Sequence, residues 1–158
     1  MCVVAVVVLL AACSGSGGDV GAPAVRDLPD LCDTITPADA ERALGGPIVT
    51  SAPVVDDDSV TCDYRPVGAL DDTIVLSATV RRYGDVPSAE DAFAAQTSGD
   101  EIRTVPGLGD DAAVVGAAKA DVVERSGNLV FRFSLGSIDD AGRPERLLQL
   151  ARDVVGRI

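Results

Sequence analysis

The 158-residue chain carries 25 acidic residues against 13 basic ones and no histidine, for a formal net charge of −12. Such a surface repels phosphate backbones and anionic lipid headgroups, which argues against nucleic-acid binding and against electrostatic attachment to a membrane. Without histidine the chain lacks both the commonest general base and the commonest metal ligand.

The chain opens on an unbroken apolar run, Val3 to Ala12. As a helix it would reach about 15 Å, half of the roughly 30 Å of a bilayer core. It therefore reads as the h-region of a signal peptide rather than as a span. Leu10-Ala11-Ala12-Cys13 resembles the bacterial lipobox. That likeness implies removal of residues 1–12, lipidation of the Cys13 thiol and a new N-terminus at that residue. No Lys or Arg precedes the run, and a start site placed too late is the expectation that accounts for the missing basic n-region. Ser14 to about Asp27 is rich in Gly and Ser without apolar periodicity, so residues 13–27 read as a flexible tether. Two acyl chains suffice for stable anchoring. The expected location is the cell envelope, on the outer face of the cytoplasmic membrane, with the N-terminal lipid as the membrane contact.

Residues 28–158 make one domain of ordinary size. Of four cysteines, Cys2 would leave with the signal and Cys13 would carry lipid, so Cys32 and Cys62 remain. An exported protein folds where disulfides persist, and two thiols have one connectivity. A zinc site would want more ligands than two cysteines in a chain without histidine, and the C-x-x-C spacing of a redox pair is absent. A structural disulfide is the favoured reading.

The first element of the domain is a short helix. Thr36 can cap it, Pro37 suits its first position, Asp39 sits at the capping-box site and Gly45 offers a left-handed stop after Leu44. Ser59 to Arg65 is a short strand. Thr73 to Val80 alternates, with Ile74, Leu76, Ala78 and Val80 on one face. A second helix starts at Pro87-Ser88 and runs to about Ser98, with Phe93 its large apolar residue. Ala112 to Val115 is another short strand. Ser126-Gly127-Asn128 is a turn joining Ala120–Arg125 to Leu129–Leu135 as a hairpin, whose second strand puts Leu129, Phe131, Phe133 and Leu135 together. The last helix, Pro144 to Ile158, carries a stripe of Leu147, Ala151, Val154 and Ile158, flanked by Leu148 and Val155. Residues 59–98 and 120–158 thus share an order of strand, turn, alternating strand and helix, through duplication or through chance. Hairpins with helices predict an α+β fold: an antiparallel sheet with helices packed mainly on one face. Three Phe, two Tyr and no Trp leave Val, Leu, Ile and Ala to fill the core.

Taken in sequence, the lipobox, the Gly/Ser tether, Leu31-Cys32-Asp33 before a helix ending Leu44-Gly45, Thr61-Cys62-Asp63-Tyr64, and Val105-Pro106-Gly107-Leu108-Gly109-Asp110-Asp111-Ala112 resemble a family of small actinobacterial lipoproteins carrying a domain of unknown function. The likeness covers roughly residues 28–158. The aromatic residue after the second cysteine is often Trp in that family and is Tyr64 here. The resemblance implies an α+β sandwich of PsbP-like type and a role in binding or sensing; it implies no settled activity.

Motifs for catalysis are missing. There is no G-x-S-x-G (Gly15-Ser16-Gly17 falls in the tether), no P-loop and no dinucleotide fingerprint, and no two acids stand out as a general acid–base pair. The expectation is a protein that is not an enzyme and uses no cofactor. The Asp runs 56–58, 71–72, 110–111 and 139–140 lack the spaced oxygen ligands that Ca²⁺ wants, so they read as solvated turns and no metal site is assigned. Val105 to Ala112 is the most function-like stretch. It reads either as a tight connection into the next strand or as the rim of a groove in which Gly107, Leu108, Gly109 and Asp110 meet a ligand. Two functions follow: a lipid-anchored domain that binds a partner protein or an apolar envelope ligand, or a scaffolding lipoprotein that holds no small molecule.

Overall fold

A computed structural model of the chain describes residues 27–68, 76–99, 101–116, 121–136 and 142–158. The apolar leader, Cys13, the tether as far as Arg26, Asp71-Asp72, Thr73–Val75, Ala120 and Asp139-Asp140 lie outside them. The fold is α+β. Among the described residues, an open antiparallel sheet of eight strands carries four helices.

After α1 (Leu31–Thr34) comes α2 (Pro37–Leu44), which forms as its sequence dictates. The Thr36 hydroxyl accepts from the Asp39 amide while the Asp39 carboxylate accepts from the Thr36 amide, and Gly45 ends the helix at φ +81°. A broken edge strand, β1 (Ile48–Thr50) and β2 (Val54–Val55), then runs along β3 (Ser59–Pro66). β4 (Leu76–Arg82) follows, then α3 (Val86–Gln96) and the hairpin β5 (Ile102–Thr104) and β6 (Asp111–Val115). A second hairpin, β7 (Asp121–Ser126) and β8 (Leu129–Leu135), leads into α4 (Arg143–Val155). The sheet order is β1-β3-β4-β8-β7-β6-β5, with β2 also on β3.

Register fixes what each face buries. Val80 opposes Phe131 and Ala78 opposes Phe133, while Val122 opposes Phe133 across the next ladder. These side chains form the main core with Leu147, Leu150, Ala151 and Val154 of α4 and with α1 and α2. Alternation sends Val123 and Val130 to the other face, where they pack with Ala89, Ala92 and Phe93 of α3. The helices are therefore divided across the sheet, with α1, α2 and α4 on one side and α3 on the other.

That division bears on the repeated order in the sequence. β3-β4-α3 and β7-β8-α4 do recur, and their second strands pair antiparallel at the sheet centre. A two-fold axis normal to the sheet would put both helices on one face. They lie on opposite faces, so the two halves are not symmetry mates. The short connection from Arg82 into α3 and the longer one from Leu135 into α4 are consistent with the difference.

Other differences are local. α3 begins at Val86, because Asp85 caps it by accepting from the Ser88 amide. β4 runs on to Arg82 through pairing with Leu129 of β8. Ile158 lies past the end of α4 and is half exposed, and Leu150 is buried instead. α1, β1, β2 and β5 were not expected; each is four residues or fewer, too short for periodicity to mark.

Candidate functional site

Cys32 and Cys62 are joined in a disulfide with Cα atoms 5.5 Å apart, and the bond ties α1 to β3. It is a covalent frame rather than a reactive centre. Among the described residues no cluster of three or more His, Cys, Asp or Glu side chains converges as metal ligands would. Asp56 accepts from the Ser59 hydroxyl and Asp58 pairs with Arg81, so this run caps its own turn. No described helix is long and apolar enough to cross a membrane.

The segment from Val105 to Asp110 links β5 to β6 and folds over the end of the sheet. Val105 and Leu108 are buried with the main core. The Asp110 amide donates to the Arg125 carbonyl at 2.8 Å, and the Asp110 carboxylate accepts from the Gly127 amide at 2.7 Å. Arg125 completes the latch. Its Nε and Nη2 donate to Asp111 at 3.0 and 2.6 Å, and Nη1 reaches Asp110 and the Gly127 carbonyl. A nearly buried guanidinium thus offsets part of the charge of both aspartates, which it shares with Glu90 of α3, and pins the segment to the β7–β8 turn.

Beneath this segment lies Glu124, which is fully buried. Opposite Phe131 and Ala112 in its ladders, it faces the α4 side of the sheet. Ser126 Oγ donates to its Oε1 at 2.5 Å, and Oε2 has no hydrogen-bond partner among the described residues. Burial pushes the Glu124 carboxyl up to about 7; the Ser126 hydrogen bond opposes this, and the Asp110 charge adds to it. Gly109 closes over the carboxyl. Its φ is +58°, and a Cβ there would fall 1.7 Å from Oε1 and 2.6 Å from the Arg125 carbonyl. Sequence reasoning missed Glu124, although the signal was present: Val122 and Glu124 alternate on the same face as Phe133 and Phe131.

On the α3 side the same segment borders a half-open groove of about 410 Å³. Phe93 and Thr97 of α3 form one wall, Ile102 and Thr104 of β5 another, and Ala113 with Pro106 and Gly107 the remainder. Leu108, Asp110 and Asp111 also border it, whereas Gly109 does not. Of the four residues marked in the sequence, three therefore meet at one groove and the fourth packs on Glu124. Around the Gly107 Cα there is open space, and among the described residues its amide donates to no protein group. The volume falls in the range of small-ligand sites. The lining is mixed: Phe93, Ile102 and Pro106 are apolar, while Thr97, Thr104, Asp110 and Asp111 are polar, both aspartates being paired with Arg125.

The chain matches no protein-family model and shows no significant similarity to a curated protein. Fold and groove together describe an α+β domain with a small cleft on one sheet face.

Proposed function

We propose that this chain is a lipid-anchored, exported, non-enzymatic domain that binds an apolar cell-envelope ligand in the groove between α3, β5 and the Val105–Asp111 segment. Lipidation at Cys13 would hold it to the outer face of the cytoplasmic membrane, as in the small actinobacterial lipoproteins it resembles. The disulfide fits an oxidising compartment. The observation that supports the binding reading is the groove itself: about 410 Å³, with Phe93 and Ile102 in its walls and its two aspartates paired with Arg125. Native mass spectrometry of protein purified from its own membrane tests it. A co-purifying lipid or other apolar molecule at one per chain supports the reading, and chains without any adduct count against it.

A scaffolding role is the second reading, favoured by a separate observation. Val49, Val54, Val55 and Val67 are all more than half exposed, and they gather along the β1/β2 edge of the sheet. Apolar residues grouped at an edge suit contact with another protein. A protein partner recovered at fixed stoichiometry in the same preparation, with no small molecule, supports it.

A further inference from the structure

At the other end of the sheet from this groove, a second one of about 370 Å³ surrounds the disulfide. The edge strand makes room for it. β1 ends at Thr50 opposite Tyr64 and β2 begins at Val54 opposite Thr61; the Ser51 amide still donates to the Asp63 carbonyl, and residues 52–53 leave the ladder beside Cys62. Ile35, Pro37, Pro53 and the Cys32–Cys62 bridge supply apolar walls.

Two polar groups there have no protein partner among the described residues. Tyr64 is 3 % exposed and borders the groove, yet its hydroxyl has no hydrogen-bond partner among the described residues. The ring is buried while the hydroxyl is left to solvent at the groove, free to meet a donor or acceptor there. Asp33 stands on the same border, exposed, and its carboxylate forms no ion pair among the described residues. Burial first, then the Asp33 and Asp39 charges, hold the Tyr64 phenol protonated, up to about 12. The Asp33 carboxylate on the same border makes the potential there negative. Asp39 is already bound by Arg157 and Arg42, which leaves Asp33 and Asp63, both on the groove's border, without a cation partner among the described residues.

An apolar slot ending in an unpaired hydroxyl and an unpaired carboxylate fits a cationic donor on an aliphatic stem. An anion would meet Asp33 and a net charge of −12. An alkyl chain alone would leave the Tyr64 hydroxyl unpaired. A guanidinium is less strongly hydrated than an ammonium and has donors enough to reach both groups. We infer that this groove is a docking site for an arginine side chain of a partner polypeptide, with the Tyr64 hydroxyl and the Asp33 carboxylate as its polar ends. The site is separate from the apolar groove, and either can fail without the other.

The test is an amide-shift titration of the ¹⁵N-labelled full chain, solubilised in a non-ionic detergent, with Nα-acetyl-arginine amide as probe. Shifts should be confined to residues 32–36, 50–53 and 62–64. Tyr64→Phe and Asp33→Asn should each weaken binding about tenfold, the effect of losing one hydrogen bond to a charged group. Asp91→Asn, on α3, should leave it unchanged. Tyr64→Phe removes no hydrogen bond within the chain, so its melting temperature should match the parent and separate lost binding from lost folding. Three results would overturn the proposal: no shift at the solubility limit of the probe, equal shifts from Nα-acetyl-norleucine amide, or shifts scattered over the acidic surface that persist in both variants.

Discussion

Two glycines two residues apart face opposite demands. Gly109 and Gly107 both have positive φ, but only Gly109 is crowded, by the Glu124 carboxyl and the Arg125 carbonyl. Gly107→Ala should cost about 1–2 kcal/mol, the strain of a left-handed backbone alone. Gly109→Ala adds an overlap that nearby backbone cannot relieve, and should cost at least about 4 kcal/mol or prevent folding. Urea denaturation of the pair checks the contrast. Glu124 gives a second prediction at this scale. Its folded pKa, about 7, lies above its ordinary 4.5, so the folded state binds more protons between those values. Its contribution is complete below pH 4.5 and is lost as pH rises through 7, about 3 kcal/mol in all. Glu124→Gln keeps the neutral shape and should remove that downward slope in urea melts run across the same range. A wild-type slope unchanged by the substitution would show that another group carries it.

The elements show which parts of the sequence speak for themselves. α2 was legible to the residue, because cap, proline, capping-box acid and glycine stop are all local signals and all formed. β8 was legible because four alternating apolar residues face a core. The start of α3 was misplaced because Asp85, two residues before the proline, takes the capping role. β1, β2 and β5 exist only through their partners, so their own residues carry little signal. The role of Asp39 was only half visible. Beyond closing the box it accepts from Arg157 at 2.6 Å, binding α2 to the end of the chain over a separation that local pattern cannot express. These partners hold its carboxyl well below the usual range. Asp39→Ala therefore removes a cap and a nearly buried ion-pair partner, and should lower stability by about 2–3 kcal/mol. The loss should shrink as pH falls toward the carboxylate range, since the parent loses the same interaction on protonation. Thermal melts at neutral and acid pH measure both effects.

For the whole molecule, the sequence yielded class and covalent frame but no layout. Hairpin signals predicted an antiparallel α+β domain, and the cysteine count favoured the Cys32–Cys62 bond that is present. The sheet order and the division of helices between faces arise from long-range pairing, above all β4 with β8. The groove at Gly107 was foreseen only as one of two uses for its segment. The segment connects β5, a strand the sequence did not mark, to β6, and Gly107, Leu108 and Asp110 border the groove. A disulfide closing a loop of 30 residues should contribute about 3–4 kcal/mol by restricting the unfolded chain. The double variant Cys32→Ser, Cys62→Ser should lose about that much in chemical denaturation while keeping its far-ultraviolet dichroism.

The claim that this domain binds an apolar ligand beside Gly107 is met most directly by native mass spectrometry of wild type and Gly107→Val, purified side by side from the native membrane. Gly107 has open space around it, so valine should fill groove rather than core. The predicted result is a ligand adduct on the wild type that is absent from the variant, while the variant still melts cooperatively at a temperature lowered by about 5–15 °C through the strain of valine at positive φ. A variant that keeps the adduct, or one that loses it only by unfolding, would contradict the assignment of this groove.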